Sequence, residues 1–267
     1  MEKFEKKLII FMPSIDGGGV EKNLFLITNY LSKKINNITV ITFDDRFNKN
    51  FNKKINISNV VKKNKNTYSK YYKYFRCLLL LSKEIKKQKC LVFAFQANLY
   101  CCILSLILRF KLITRSNSSP SGWTRNFLKN IIFKFLFKIP KKIIVNSKDF
   151  KKEIDKKFNI ESKLIYNPLN LNEIKKKSNS KMNLNFYKNT KIKAINIARF
   201  TDQKDHMTLL KSVKLINEKS KPHVIIVGKG DKYYDLKNFV KSNNLNQKVT
   251  LTGYINNPLD YLKQTDI

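Results

Sequence analysis

Carboxylates are scarce in this chain: 19 Asp and Glu stand against 54 Lys and Arg, a formal net charge of +35. Glycine is scarce too. Only seven occur, three of them consecutive, and neither a GxGxxG dinucleotide fingerprint nor a Walker phosphate loop is present. The two histidines, His206 and His223, both lie in the second half, so the first half has no imidazole for proton transfer or metal ligation. The four cysteines, Cys77, Cys90, Cys101 and Cys102, form no CxxC pair and sit in or beside apolar runs. That spacing argues against a zinc site and for reduced core thiols of a cytosolic protein. No Asp-x-Asp occurs, and neither a metal nor a cofactor is expected. Long apolar runs are missing as well. The longest, Leu99 to Leu108, falls well short of the ~20 residues that cross a bilayer. The N-terminus leads only into a short apolar run, so no signal peptide is expected. The chain reads as soluble or attached to a membrane face.

What remains is lysine, asparagine and bulky apolar residues in 267 positions, enough for one large domain or two small ones. A field of this sign attracts polyanions, whether nucleotide phosphates, anionic lipid headgroups or nucleic acid. Lysine, asparagine, isoleucine, phenylalanine and tyrosine share A/T-rich codons, and that bias is the larger source of the charge. The field exists whatever its origin. Nucleic acid is not the expected partner: the cations are spread along the chain and no nucleic-acid motif accompanies them.

The pattern along the chain is strand, loop, helix, repeated. Leu8–Phe11, Ile38–Phe43, Cys90–Phe95, Lys111–Thr114 and Lys142–Val145 read as strands, with helices over 20–31, 71–85, 99–108, 127–138 and 148–158. Residues 46–70 read as an irregular segment around one short strand, with Asp44-Asp45 before it as a solvated turn. Leu169 to Thr190, rich in Lys, Asn and Ser, reads as a linker. Beyond it, Ala194–Ala198 reads as a buried strand of a parallel sheet, followed by a helix over 207–216 and a buried strand over 223–227.

The stretch from Lys193 to His206 carries the most chemistry. Its strand empties into a loop bearing Arg199 and Lys204. Ligands of open α/β sheets bind beyond the carboxyl ends of strands, and a planar guanidinium fork with a point-like ammonium suits a diphosphate. Two solvated cations would look the same for Lys204. Arginine occurs only six times, which makes Arg199 the more informative residue. Near the N-terminus, Gly17, Gly18 and Gly19 lie between a strand and a helix, where backbone N–H groups can approach a phosphate or sugar. A tight βα turn fits the same residues. After the strand at Lys111, the segment Arg115-Ser116-Asn117 through Trp123 sets polar donors near the only Trp, a combination that binds sugars; an ordinary turn with Trp123 as anchor fits as well. Phe127 to Lys138 alternates bulky apolar residues with Lys129, Lys134 and Lys138. Such a helix can lie on an anionic membrane surface, or pack in a core with its lysines snorkelling outward.

These motifs, taken in order, resemble the glycosyltransferases of family 4, of the GT-B fold. Ala-Arg-Phe-Thr-Asp-Gln-Lys-Asp-His is similar to the start of that family's C-terminal domain, and the resemblance implies that Arg199 and Lys204 hold the diphosphate of a nucleotide-sugar donor. Gly17-Gly18-Gly19-Val20-Glu21 resembles the Gly-Gly-x-Glu loop near donor phosphate and acceptor. Gly228-Lys229-Gly230 resembles the nucleotide-side glycine loop, and the loop with Arg115, Ser116, Asn117 and Trp123 corresponds to the acceptor loop. The implied architecture is α/β GT-B: a Rossmann-like domain over 1–168, a linker over 169–190 and a partial second Rossmann-like domain over 191–267. The implied function is transfer of a sugar from a nucleotide-diphosphate sugar to a saccharide or lipid-linked acceptor in cell-surface polysaccharide or glycoconjugate synthesis. Relatives of this kind retain anomeric configuration, and a peripheral place on the inner face of the plasma membrane is implied. No catalytic residue is assigned; some relatives carry a His near Ser116, and this chain does not. The likeness stops at Ile267, where the family continues with two glutamates that hold the donor, so the sequence is expected to be a fragment, a truncated frame or one piece of a split enzyme. A non-catalytic, membrane-associated fragment or subunit is the alternative.

Overall fold

The computed structural model describes residues 7–16, 18–62, 68–117, 127–178, 190–217, 220, 222–255 and 257–267, with backbone alone for 127–129. The chain divides into two compact units, Met1–Leu169 and Asn170–Ile267.

In the first unit the elements run β1 (Lys7–Phe11), α1 (Gly19–Leu31), β2 (Ile38–Thr42), β3 (Asn56–Asn59), α2 (Lys70–Lys87), β4 (Cys90–Ala94), α3 (Asn98–Leu108), β5 (Lys111–Ser116), α4 (Phe127–Leu136), β6 (Lys142–Val145), α5 (Lys148–Phe158) and β7 (Lys163–Leu164). They form a parallel sheet in the order β3-β2-β1-β4-β5-β6-β7. β1 is buried throughout, and alternate residues serve opposite faces. Leu8 and Ile10 pack with Leu24 of α1 in one layer, while Ile9 and Phe11 pack with Cys77 and Leu81 of α2 and Cys101 and Cys102 of α3 in the other. All four cysteines are buried and unpaired, and burial pushes the Cys77 and Cys102 thiols up to about 12. The sheet order reverses between β1 and β4, which opens a crevice at their carboxyl ends.

Local chemistry sets several element ends. Ser147 caps α5 by accepting the Phe150 N–H. Asp44, read from sequence as part of a solvated turn, is instead buried and clamped by Arg46, whose Nε and Nη2 reach its two oxygens at 2.8 and 2.9 Å. Glu84 on α2 is buried between Lys7 of β1, 2.6 Å away, and Lys87. Hydrogen bonds from Lys7 and then Lys87 hold its carboxyl below the ordinary value of 4.5. A depressed carboxyl contributes stability that is complete above its unfolded value and lost as pH falls through the folded one. Glu84→Gln is therefore expected to cost about 2 kcal/mol at neutral pH. It should also flatten the loss of stability below pH 4.5; urea unfolding at a series of pH values measures both.

The second unit begins with α6 (Leu171–Lys177), then β8 (Ile192–Ile197), α7 (His206–Leu215), β9 (Pro222–Val227), α8 (Tyr233–Ser242), β10 (Val249–Gly253) and a 3-10 helix over Pro258–Gln264. The strands form a parallel sheet ordered β10-β9-β8. Helix α6 lies inside the stretch expected as a linker. Asn170 accepts the Glu173 N–H at 3.1 Å, and Lys177 pairs with Glu173 one turn on. β9 is buried along its whole length. β8, expected to be buried, is only half-covered: it is the edge strand, and Ile197 is 41 % exposed. Its outer edge takes hydrogen bonds from the last residues of the chain, with Ile195 N donating to Ile267 O at 2.8 Å and Asp266 N to Lys193 O at 2.7 Å.

Candidate functional site

Two clusters of the expected residues exist, one at the carboxyl ends of the strands in each unit. In the second unit, β8 ends at Ile197 and the chain turns outward through Arg199 before a short 3-10 turn, Asp202–Lys204. Asp205 takes a left-handed conformation (φ 46°) and caps α7 by accepting the Thr208 N–H. Both Arg199 and Lys204 are exposed, and among the described residues neither makes an ion pair with a carboxylate. The underside of the loop is anchored. Phe200 is fully buried, stacks on Tyr233 and meets His206 edge-on. His206 is itself buried and its pKa is lowered, by desolvation first and by Lys204 second. The cations are thus held by a rigid root while their heads stay free.

The Gly-Lys-Gly loop after β9 lies directly against this turn. Phe200 N donates to Lys229 O at 3.0 Å, and Lys232 N donates to Phe200 O at 3.1 Å. The approach is so close that a Cβ at Gly228 would fall 1.8 Å from Ala198 O, and one at Gly230 would fall 2.2 Å from Phe200 O. The glycines let two backbones touch. The same packing brings Lys229 beside the Arg199 turn, with its ammonium 5.1 Å from the centre of the Tyr254 ring. The family resemblance marks the two glycines and not the lysine between them.

In the first unit, Gly18 precedes α1 and Gly19 opens it; Gly17 lies outside the described residues. Glu21 is buried, folds back beneath Gly18, and accepts the Asp16 N–H at 3.4 Å. Ser14 N donates to Gln96 Oε1 at 2.9 Å, which bridges the crevice between β1 and β4. Next along the rim, Asn98 donates to the Arg115 carbonyl at 2.9 Å. Arg115 is 1 % exposed. Its Nε donates to Asn117 Oδ1 at 3.2 Å and its Nη2 to Asn167 Oδ1 at 2.8 Å, and burial lowers its pKa from the usual value. A guanidinium this enclosed braces the rim rather than reaching into solvent. Ser116 is buried at the end of β5, Asn117 is half-exposed beside it, and Trp123 lies outside the described residues. The sequence pattern assigns no site role to Gln96, Asn98 or Asn167. Their partners are 82, 17 and 52 residues away, so no local pattern marks them. Among the described residues no group of three His, Cys, Asp or Glu side chains is placed to hold a metal ion.

Residues 17–173 match the profile of Glycosyltransferase Family 4, and residues 177–267 match that of Glycosyl transferases group 1. The chain belongs to glycosyltransferase family 4. An uncharacterized glycosyltransferase of Methanocaldococcus jannaschii is 28 % identical over 209 residues, which is 71 % of this chain and 51 % of the relative. The chain thus spans about half the length of that relative. The N-acetylgalactosamine-N,N'-diacetylbacillosaminyl-diphospho-undecaprenol 4-alpha-N-acetylgalactosaminyltransferase of Campylobacter jejuni is 25 % identical over 98 % of this chain and 73 % of its own length. Among solved structures, HepE of Anabaena in complex with UDP superposes with a TM-score of 0.71 at 15 % identity, covering 97 % of this chain and 72 % of that one. The two parallel-sheet units of this family-4 chain have the GT-B fold, the second with the smaller sheet.

Proposed function

We propose that this chain transfers a glycosyl group from a nucleotide-diphosphate sugar to a saccharide or lipid-linked acceptor. One observation carries the reading: Arg199 and Lys204, exposed and without a carboxylate partner among the described residues, stand at the carboxyl end of a parallel strand on a buried root. The family supports it. So do HepE, crystallised with UDP-glucose, and the Campylobacter relative, named for a diphospho-undecaprenol substrate. In this reading Arg199 grips the diphosphate as a fork, and Lys204 adds a second positive charge. Lys229 stands by on the adjoining glycine loop. Together they stabilise the negative charge that grows on the leaving diphosphate as the glycosidic bond breaks. The anomeric configuration is retained. The first unit takes the acceptor: Gly17, Gly18 and Gly19 leave the approach open, Asn117 and Trp123 meet the sugar, and Arg115 and Glu21 hold the loops in shape. With a lipid-linked acceptor the chain works from the cytoplasmic face of the membrane.

Calorimetric titration with UDP, GDP and ADP tests the donor half. One nucleoside diphosphate is expected to bind with a Kd on the order of 10–100 μM, in the usual range for enzyme substrates. Affinities for all three no better than for inorganic phosphate would count against the proposal.

A further inference from the structure

The amino ends of β4 and β5 carry a second cluster of cations, on the sheet edge opposite the crevice between β1 and β4. Leu91 pairs with Lys111, so the two strands start side by side. Each is entered directly from a helix, since α2 ends at Lys87 and α3 at Leu108. The last helical turns and the two short connections border a crevice of about 480 Å³, within the ~300–1,000 Å³ of small-molecule pockets. Lys86, Lys89, Arg109 and Lys111 line it, all exposed. Ile85, Leu108 and Phe110 add apolar wall, and no carboxylate is among the described residues of the lining. The connection at Arg109 is pinned. Its N–H donates to Ser105 O at 2.9 Å, and Ser105 Oγ donates to Phe110 O at 2.9 Å. Arg109 itself is left-handed (φ 52°), at a helix end where glycine or asparagine is usual.

Ordinary explanations account for part of this charge. Cations in a last helical turn answer the negative end of the helix, which carries about −0.5. Two helix ends answer about one of the four charges and leave about three. Glu84 does not supply the rest. It is the single carboxylate between Asp45 and Asp149, and it is buried and held by Lys7 at 2.6 Å and by Lys87. Among the described residues none of the four cations forms an ion pair. Codon bias explains lysine but not Arg109, one of only six arginines.

We propose that this crevice binds a small phosphorylated molecule, with two or more phosphate groups on the cations and a partly apolar body against Ile85, Leu108 and Phe110. Two phosphates carry about three to four negative charges at neutral pH, close to the positive charge left unanswered. A long polyanion such as single-stranded nucleic acid asks for a basic groove that tracks its backbone and for aromatic platforms, whereas these four cations surround one crevice with a mainly aliphatic wall. The site lies at the opposite ends of β4 and β5 from Gln96 and Arg115, so it is separate from both clusters described above. The inference holds whether or not the chain transfers sugar.

Hydrogen exchange of the full chain, titrated with ATP and with inorganic tripolyphosphate at about 150 mM salt, tests it. ATP is expected to protect residues 85–90 and 108–111, and to reach half-protection at a lower concentration than tripolyphosphate because of the apolar wall. The triple variant Lys86→Gln, Arg109→Gly, Lys111→Gln should raise the ATP concentration for half-protection by about tenfold or more. Glycine suits the left-handed position, so the fold is kept. The charge-matched control Lys53→Gln, Lys54→Gln, Lys237→Gln, at exposed positions elsewhere, should change it less than about twofold. Absence of protection in these segments with either probe overturns the proposal, as does an equal loss in the two triple variants. So does protection by a single-stranded RNA oligomer at lower concentration than ATP. Protection around Arg199 and Gly228 is read separately. If it appears alone, the donor reading stands and this one falls; if it alone is missing, the reverse holds.

Discussion

Gly228→Ala is expected to destabilise the second unit by about 3 kcal/mol and to abolish nucleotide binding. The added Cβ would lie 1.8 Å from Ala198 O, 2.9 Å from Ala198 C and 3.3 Å from the Phe200 ring. The first two are backbone atoms and cannot swing away. The surrounding hydrogen bonds fix them from both sides, since Ala198 N donates to Val227 O and Gly228 N to Gly253 O. Relief requires the Arg199 turn to lift off the glycine loop, which breaks the Phe200–Lys229 pairing and misplaces the cations. Gly19→Ala provides the contrast. A Cβ there meets nothing within 4 Å, and alanine suits the first turn of a helix better than glycine does. Urea unfolding should place Gly19→Ala within about 0.5 kcal/mol of the parent. If the two variants were equally stable, the close approach between the turn after β8 and the loop after β9 would not exist as described.

That contrast marks the limit of what the residues disclose in order. Three consecutive glycines at 17–19 attract attention, yet Gly19 faces open space, and a Cβ on Gly18 would press only on the movable carboxylate of Glu21, at 2.8 Å. Among the described glycines of the two loops, it is Gly228 and Gly230 whose added Cβ would strike backbone. Steric need depends on a neighbour 30 residues away in the chain, and a linear pattern does not contain it. Strands buried on both faces were legible, because a run such as Val224–Val227 has no other stable place. β8 reads the same way but sits at a sheet edge, so its apolar residues meet solvent. Helix α6 was hidden by composition: seven residues of mostly lysine and asparagine hold together through an Asn170–Glu173 cap and one ion pair rather than through an apolar stripe. Asp44 departs from its expected place for a related reason. Its clamp by Arg46 is only two residues away, but whether such a pair faces water or core depends on the strand pairing around it. The rim that carries Arg115 is legible as a polar loop and no further. That Arg115 turns inward, braced by Asn117 and Asn167, follows from the placement of residues 52 positions apart.

Arg199→Ala is expected to raise the Kd for the preferred nucleoside diphosphate by about 100-fold while leaving the fold unchanged. The stability half of this expectation follows from exposure: the side chain makes no ion pair among the described residues, and the turn is held from beneath by Phe200. The binding half follows from magnitude. A charge-assisted, bidentate contact to a diphosphate contributes about 1.5–3 kcal/mol, and 2.7 kcal/mol is about two decades in Kd. Lys204→Ala should cost less, about tenfold, because a flexible ammonium acts as a point charge and Lys229 stands on the adjoining loop to compensate. Arg199→Lys separates geometry from charge. If the planar fork matters, lysine restores only part of the affinity; if net positive charge alone matters, it restores nearly all, and raising the salt concentration weakens both proteins alike. Calorimetry on the three variants, with thermal unfolding run beside it, distinguishes these cases. An Arg199→Ala protein that bound the nucleotide as tightly as the parent would remove the cationic turn after β8 from the donor site and with it the mechanism proposed for the leaving group.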